Sequence, residues 1–254
     1  MKKLIILFIS FFYVVNIYPQ KAYMYQEGIL GEENLKAIAN LGGPGGSIHV
    51  FDTRYEGVKG TPNLFNAYVP SFLMTRGQEK YIQFVSDIDI LRNTVIYMHP
   101  TTGKSLEISS DNVTELIFNK YDKELIYRTT KGIKFYKKIK ENKFYQVIKE
   151  GPYRLIMIPY RTFIKADYEP AFSSGRRYDE FRSERKYYME DSRGIFHQVQ
   201  LFNVDYGCLV HPTLLNKKAM AKIFPDKKEL IYRDFEEKPD EISVERLISI
   251  LNKF

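Results

Sequence analysis

The sequence predicts a mainly β protein, in which antiparallel strands form a sandwich or an open, barrel-like sheet, with a short helical appendage at the C-terminus. Three observations predict this fold class. Short apolar runs alternate with polar residues at period two over residues 81–160, and turn residues separate them at regular spacing. No long helical pattern lies between these runs, which favours antiparallel pairing over βαβ units. The 20 Tyr and 18 Phe among 254 residues suit pleated, half-buried strands.

Residues 1–20 have the pattern of a secretory signal peptide. Lys2 and Lys3 form a positive start, residues 4–15 are an apolar run, and residues 16–22 are more polar. The apolar run is shorter than the roughly 20 residues that a transmembrane helix needs. We therefore expect a soluble protein exported to the periplasm or the extracellular space, without a transmembrane span after cleavage. An uncleaved membrane anchor is the alternative.

The chain after the leader begins with a short predicted helix over residues 32–40 and a glycine-rich arm over residues 42–47. The arm matches neither the dinucleotide-binding nor the P-loop spacing, and no helix is predicted directly after it. We therefore expect it to lead into the first strand without binding a phosphate.

Residues 47–65, SIHVFDTRYEGVKGTPNLF, carry the best candidate ligand site. Alternate residues of a strand share a face, so Asp52, Arg54 and Glu56 would lie together. Gly57 and Gly60 tolerate positive φ and would form turns around Lys59, which permits close approach of a ligand. Asp52 and Glu56 would lie roughly 13 Å apart, farther than the catalytic carboxylates of glycosidases. A charge network that only stabilises the turn is the alternative.

The strand pattern continues from residue 81 to residue 203. The predicted strands lie near residues 81–84, 95–98, 106–108, 113–118, 133–140, 144–149, 153–160, 186–190 and 195–203. Residues 133–140 alternate most regularly, with a lysine-rich face, and residues 141–143 predict a hairpin from them to residues 144–149. Residues 191–194 predict a second hairpin turn.

Residues 167–186 interrupt the strand pattern and are predicted to form a loop. The segment contains proline, serines, a glycine and four arginines, namely Arg176, Arg177, Arg182 and Arg185. Guanidinium groups bind carboxylate and phosphate well, but neighbouring acidic residues balance these charges. We therefore favour a solvated loop over an anion site.

The C-terminal tail changes to helical period. Helices are predicted over residues 217–224 and 227–235, and Ser243 can cap a third whose apolar face is Val244, Leu247, Ile248 and Leu251. Such short helices need a surface to pack on, and the sheet is the obvious one. The sequence thus predicts a β-rich domain over residues 21–212 and a helical tail over residues 213–254.

Composition and motif spacing exclude several functions. The formal net charge of +7 comes without a dense Lys/Arg block, so nucleic acid is not an expected partner. The mild positive charge fits an anionic surface or an envelope protein instead. The four histidines, His49, His99, His197 and His211, lack metal-site spacing, so we expect no metal or cofactor. The lone Cys208 lies near His211 without an evident third group, and no catalytic residues are expected.

The segment FDTRYEGVKGTPNLF, followed by strands and a Lys/Leu/Phe-rich helical tail, resembles an uncharacterised family of exported Bacteroidota proteins. The similarity is most specific over residues 54–62, looser over residues 81–118, and returns over residues 219–235. The resemblance implies export and a β-rich body, and it carries no catalytic residues.

Together these features predict a non-enzymatic exported binding or interaction module of the periplasm or cell envelope. An envelope-associated hydrolase of unknown substrate and a purely structural envelope factor are the alternatives.

Overall fold

The computed structural model describes residues 35–37, 55, 57–169, 174–199, 217–234 and 244–254. One 11-stranded sheet dominates these ranges. Its strands are β1 Val69–Thr75, β2 Ile82–Asp89, β3 Thr94–Met98, β4 Ser105–Ser109, β5 Val113–Lys120, β6 Lys123–Thr129, β7 Lys134–Phe135, β8 Phe144–Lys149, β9 Leu155–Ile164, β10 Glu180–Glu190 and β11 Ile195–Val199.

Most neighbouring strands of the sheet are also neighbours in the chain. The main exception is β5, which pairs with β1 and not with β4. Strands β1 to β4 form an antiparallel meander, and β5 comes back to pair with the other edge of β1. From β5 the sheet continues through β6, β8, β9, β10 and β11, each antiparallel to its neighbour. Only β7 pairs in parallel, with β11, among the strands described. The predicted mainly β, antiparallel fold class is confirmed.

Strand β1 has no counterpart in the sequence prediction, because Pro70 interrupts its pattern. Pro70 lies opposite Val85 of β2, whereas pairing with β5 starts one residue later, at Ser71. Proline cannot donate to a ladder, so it is tolerated at the start of a strand, where only one neighbour is paired. Beyond it, Leu73 is fully buried at the centre of the sheet.

The first half of the sheet, β1 to β6, gathers the apolar side chains of one face in a single cluster. Its cluster joins side chains from β4 to the start of β8, including Ile108, Phe84, Phe118 and Phe144. The residues that follow β4 approach the segment before β8, since Asn142 Nδ2 donates to Asp111 Oδ1 over 3.1 Å. Ala37, Leu64 and Phe65, which lie outside these strands, also pack against this cluster.

The second half, β8 to β11, is covered from outside on one face by the C-terminal helices. These are α1 Lys217–Ile223, α2 Lys228–Asp234 and α3 Val244–Leu251, with a 3-10 turn at Pro225–Lys227 between the first two. Their buried residues form one cluster with sheet residues Leu155, Met189 and Val199, and comprise Met220, Phe224, Ile231, Leu247, Ile250 and Leu251. Nowhere in the described ranges is a helix long and apolar enough to cross a bilayer.

The predicted hairpin between residues 133–140 and 144–149 is wrong. Strand β8 pairs with β6 on one edge and β9 on the other, so neither edge is open. Of the predicted strand, only Lys134–Phe135 pairs, with Ile195 and Phe196 of β11. Residues 131–140, which we call the lysine cover, cross the second face of this half. Apolar residues of the cover pack there on Tyr145, Ile156 and Phe196.

Residues 180–186, predicted as part of a loop, belong to β10. Ten consecutive residues of β10, from Glu180, pair with β9. Strand propensity is weak in this charged segment, but β9 offers a long free edge, so tertiary pairing overrides the local signal. The arginines are consequently separated, because Arg182 and Arg185 lie on opposite faces of β10.

Arg176 pairs with Asp167 before β10. Its Nη2 lies 2.6 Å from Asp167 Oδ2, and the Asp167 amide donates to the Arg176 carbonyl. This pair accounts for one of the arginines that the sequence placed in a solvated loop.

Candidate functional site

Residues 57–65, which we call the strap, connect distant parts of the sheet. At one end, the Lys59 amide donates to the Asp179 carbonyl and the Lys59 carbonyl accepts from the Phe181 amide, both over 2.9 Å. At the other end, the Leu64 amide donates to the Ile88 carbonyl over 2.8 Å. The strap therefore joins β10 of the second half to β2 of the first.

Two glycines allow the strap to turn, as the sequence predicts. Gly57 has φ of 81° and Gly60 has φ of 87°. A Cβ on Gly60 would also lie 3.3 Å from the Phe181 carbonyl oxygen, so this position needs glycine for both its conformation and its space. Tyr55 packs nearby, its ring 4.9 Å from that of Phe181 in an edge-on arrangement.

The candidate ligand residues of this stretch are only partly placed. Asp52, Arg54 and Glu56 lie outside the described residues. Lys59 is exposed, and its backbone forms the bridge to β10 that is described above. Convergence of the four side chains on one ligand stays a prediction.

The lysine cover presents a concentrated positive surface. Its five lysines are exposed, namely Lys131, Lys134, Lys137, Lys138 and Lys140, and residues 131–140 contain no acidic residue. Ile133, Phe135 and Ile139 are half-buried and pack against the sheet. Within the described part of the chain, a salt bridge reaches only Lys131, whose Nζ lies 3.8 Å from Asp111.

An exposed aromatic ring stands within this positive surface. Tyr136 is 67% exposed, and its ring stacks on His197 with centroids 5.1 Å apart and planes at 24°. The Tyr136 amide donates to the Phe196 carbonyl over 2.9 Å, which holds the backbone of the cover against β11. The ring is thus supported from below and open to solvent above.

A buried carboxylate positions His197. Asp191 Oδ2 lies 3.0 Å from His197 Nε2 and accepts from Arg193 Nη2 over 2.8 Å, and Asp191 Oδ1 accepts from the Ile195 amide over 2.9 Å. Burial disfavours the charged form, but the Ile195 amide, the Arg193 side chain and the His197 ring together hold the pKa of Asp191 well below its usual range. Asp191 therefore remains ionised and stabilises both the predicted hairpin turn and the His197 ring.

The sequence identified Asp191 only as a turn residue, and it did not connect His197 with Tyr136. An Asp followed by Ser-Arg-Gly is a signal for an Asx-type turn, so the role of the Asp191 carboxylate in this turn could have been predicted from the sequence. The stacking of Tyr136 on His197 could not have been predicted, because the two residues meet only through the parallel pairing of β7 with β11.

The remaining polar clusters in the described ranges contain no recognisable reactive centre. No hydroxyl or thiol there makes a hydrogen bond with His197, and no group of three His, Cys, Asp or Glu residues could hold a metal ion. His99 closes a turn, where its Nδ1 accepts from the Thr101 and Thr102 amides over 3.3 Å. His49, Cys208 and His211 lie outside the described residues.

Comparison of the chain with family models, with curated protein sequences and with solved structures gives no significant match.

Proposed function

We propose that the protein is an exported, non-catalytic binding module of the cell envelope that binds the anionic surface of a phospholipid membrane through its lysine cover. The observation that carries the proposal is the row of exposed lysines around Tyr136, on a segment whose apolar side chains are anchored in the sheet. The apparent signal peptide supports export.

The charge and the aromatic ring both suit a membrane surface. Each lysine near an anionic leaflet contributes about 1 kcal/mol to binding, so several lysines together give reversible, salt-sensitive attachment. Tyrosine is enriched at the level of the lipid headgroups, because its ring is apolar and its hydroxyl is polar. The anchored backbone also keeps the lysines together, so little conformational entropy is lost when they bind.

The test uses the protein recovered from the periplasm of an expression host, after leader removal. Its partition is measured by co-sedimentation with vesicles of phosphatidylcholine alone and of phosphatidylcholine with phosphatidylglycerol. We expect binding only to the anionic vesicles and release at high salt. The Lys137→Glu, Lys138→Glu double variant should bind about 30-fold more weakly, since two favourable contributions are lost.

The control variant is Lys104→Glu, Lys123→Glu, which reverses two exposed lysines outside the cover and should partition like the wild type. Equal loss in both double variants would mean that net charge alone matters and would overturn the proposal. Binding to soluble polyglutamate without binding to vesicles would point to an acidic protein partner instead, and failure to reach the periplasm would refute export.

A further inference from the structure

His197 lies beneath the exposed aromatic ring of the lysine cover. Its imidazole stacks on the Tyr136 ring with centroids 5.1 Å apart, and the His197 side chain is itself 14% exposed. The Tyr136 ring is open to solvent, so the imidazole lies just below the surface that the cover presents. A charge at that depth is within the Debye length of about 8 Å at physiological ionic strength, so it would attract an anionic surface in contact with Tyr136.

The turn before β11 supplies two charged neighbours of His197. Asp191 Oδ2 lies 3.0 Å from His197 Nε2, and Arg193 Nη2 donates to the same oxygen over 2.8 Å. The pKa of Asp191 lies well below its usual range, so this buried carboxylate is ionised at neutral and at mildly acidic pH. One carboxylate is thus shared between a guanidinium group and the imidazole.

The neighbouring strands bring a lysine and two uncharged side chains to the same face of the sheet. Lys134 of β7 is opposite Ile195 of β11, so it lies on the face that carries His197. From β10, Met189 is opposite His197, and Tyr187 lies on that face as well. The described helix residues that join the cluster on this face are apolar.

This environment accommodates a charged imidazolium. A histidine gains its positive charge as the pH falls from about 8 to about 5. Protonated His197 would have the Asp191 carboxylate at its edge and the π face of Tyr136 against its plane, and both attract a cation. Lys134 and Arg193 repel that cation, but Lys134 is exposed to solvent and Arg193 is paired with the same carboxylate. Protonation therefore does not leave an unpaired buried charge.

We propose, on the basis of the membrane binding proposed above, that His197 is a pH sensor of the lysine cover. Its protonation adds a positive charge beneath Tyr136 and strengthens binding of the cover to the anionic membrane surface. The proton binds as the pH falls, so the affinity for anionic vesicles rises from neutral to mildly acidic pH. One added charge near an anionic leaflet strengthens binding roughly fivefold.

The experiment measures co-sedimentation of the leader-free protein with vesicles of phosphatidylcholine and phosphatidylglycerol. It compares about pH 7.5 with about pH 5.5, which span the titration of a histidine, at constant ionic strength. The phosphodiester of phosphatidylglycerol keeps its charge over this range, so a change in affinity comes from the protein. We expect the wild type to bind roughly fivefold more tightly at the lower pH.

Two variants at position 197 separate charge from packing. His197→Gln keeps a donor for Asp191 and cannot gain a charge, so it should bind equally at both pH values. His197→Arg places a permanent planar cation against Tyr136. It should bind at the higher pH as tightly as the wild type does at the lower pH, and its affinity should not depend on pH. Circular dichroism checks that both variants are folded.

The matched control is His99→Gln, since His99 closes a turn in the first half of the sheet, and it should keep the full pH dependence. Equal affinity of the wild type at both pH values, or the same tightening in His197→Gln, would overturn the role of His197 and leave the proposed function intact. Absence of binding to anionic vesicles at both pH values, in the wild type and in His197→Arg, would refute the proposed function itself.

Discussion

The two halves of the sheet protect their apolar side chains in different ways. Strands β1 to β6 supply most of one apolar cluster themselves, and Ala37, Leu64 and Phe65 add smaller contacts to it. Strands β8 to β11 are instead buried on both faces by segments outside their meander, the helices on one side and the lysine cover on the other. The first core depends largely on neighbouring strands, whereas the second depends on contacts between distant parts of the chain.

This difference has a functional consequence. In the first half, charged side chains at the sheet are held in ion pairs. Buried Glu115, for example, accepts from Arg128 Nε over 2.7 Å, and Arg128 also reaches Glu150. The covered half presents new surfaces, and the lysine cover is one of them.

Removal of an aromatic ring from the core of the first half should have the largest effect on stability. Phe84→Ala deletes a fully buried side chain from the centre of the first half. We expect a loss of about 3–5 kcal/mol in the free energy of unfolding, measured by urea denaturation. Tyr121→Ala, at a ring that is 84% exposed, should change stability by less than about 0.5 kcal/mol. A small loss of stability in the Phe84 variant would show that this cluster does not stabilise the fold as a packed core.

Truncation of a helix side chain tests the half of the sheet that the helices cover. Leu247→Ala removes a fully buried contact between α3 and the sheet and should cost about 2–5 kcal/mol. Because the helices are short, we expect amide hydrogen exchange to accelerate in α1 to α3 before it does in β1 to β6. Ser249→Ala, on the exposed side of the same helix, is the control. Equal acceleration in both halves would show that they unfold as one unit.

The smallest effect is expected at the turn beneath the lysine cover. Asp191→Asn removes a charged acceptor from His197 and Arg193 and should cost about 1–3 kcal/mol at pH 7. The pKa of Asp191 is lowered in the folded protein, so its contribution is present above the unfolded pKa and is lost as pH falls through the folded one. The difference between wild type and variant should therefore narrow below about pH 4.

Urea denaturation at pH 7 and pH 3 measures this difference, with Ser192→Ala in the same turn as the control. A difference that does not change with pH would show that the carboxylate charge is not what stabilises the turn.

Much of the fold could be predicted because its signals are local. Period-two alternation identified most strands, and the helical period of the tail placed three helices within about one residue of their observed bounds. Gly57, Gly60 and the turn after β10 were readable from residue type, because positive φ and side-chain acceptors are properties of single residues.

The two wrong strand predictions share a different cause. Residues 133–140 alternate like a strand, yet they cover the sheet, because β6 and β9 already occupy both edges of β8. Residues 180–186 look like a charged loop, yet they pair, because β9 extends beside them. In each case, whether the segment paired as a strand depended on which strand edge was free. A local sequence pattern carries no information about that.

By itself, the amino-acid sequence determined the mainly β character, the faces of most strands, the helical tail and the lysine-rich face of residues 133–140. Only the tertiary structure decided that β7 joins β11 and that Tyr136 rests on His197. The physical reason is that backbone periodicity selects an element and its apolar face through neighbouring residues alone. The partners of a strand edge or a charged side chain are selected by competition among all the surfaces that the folded chain brings within reach.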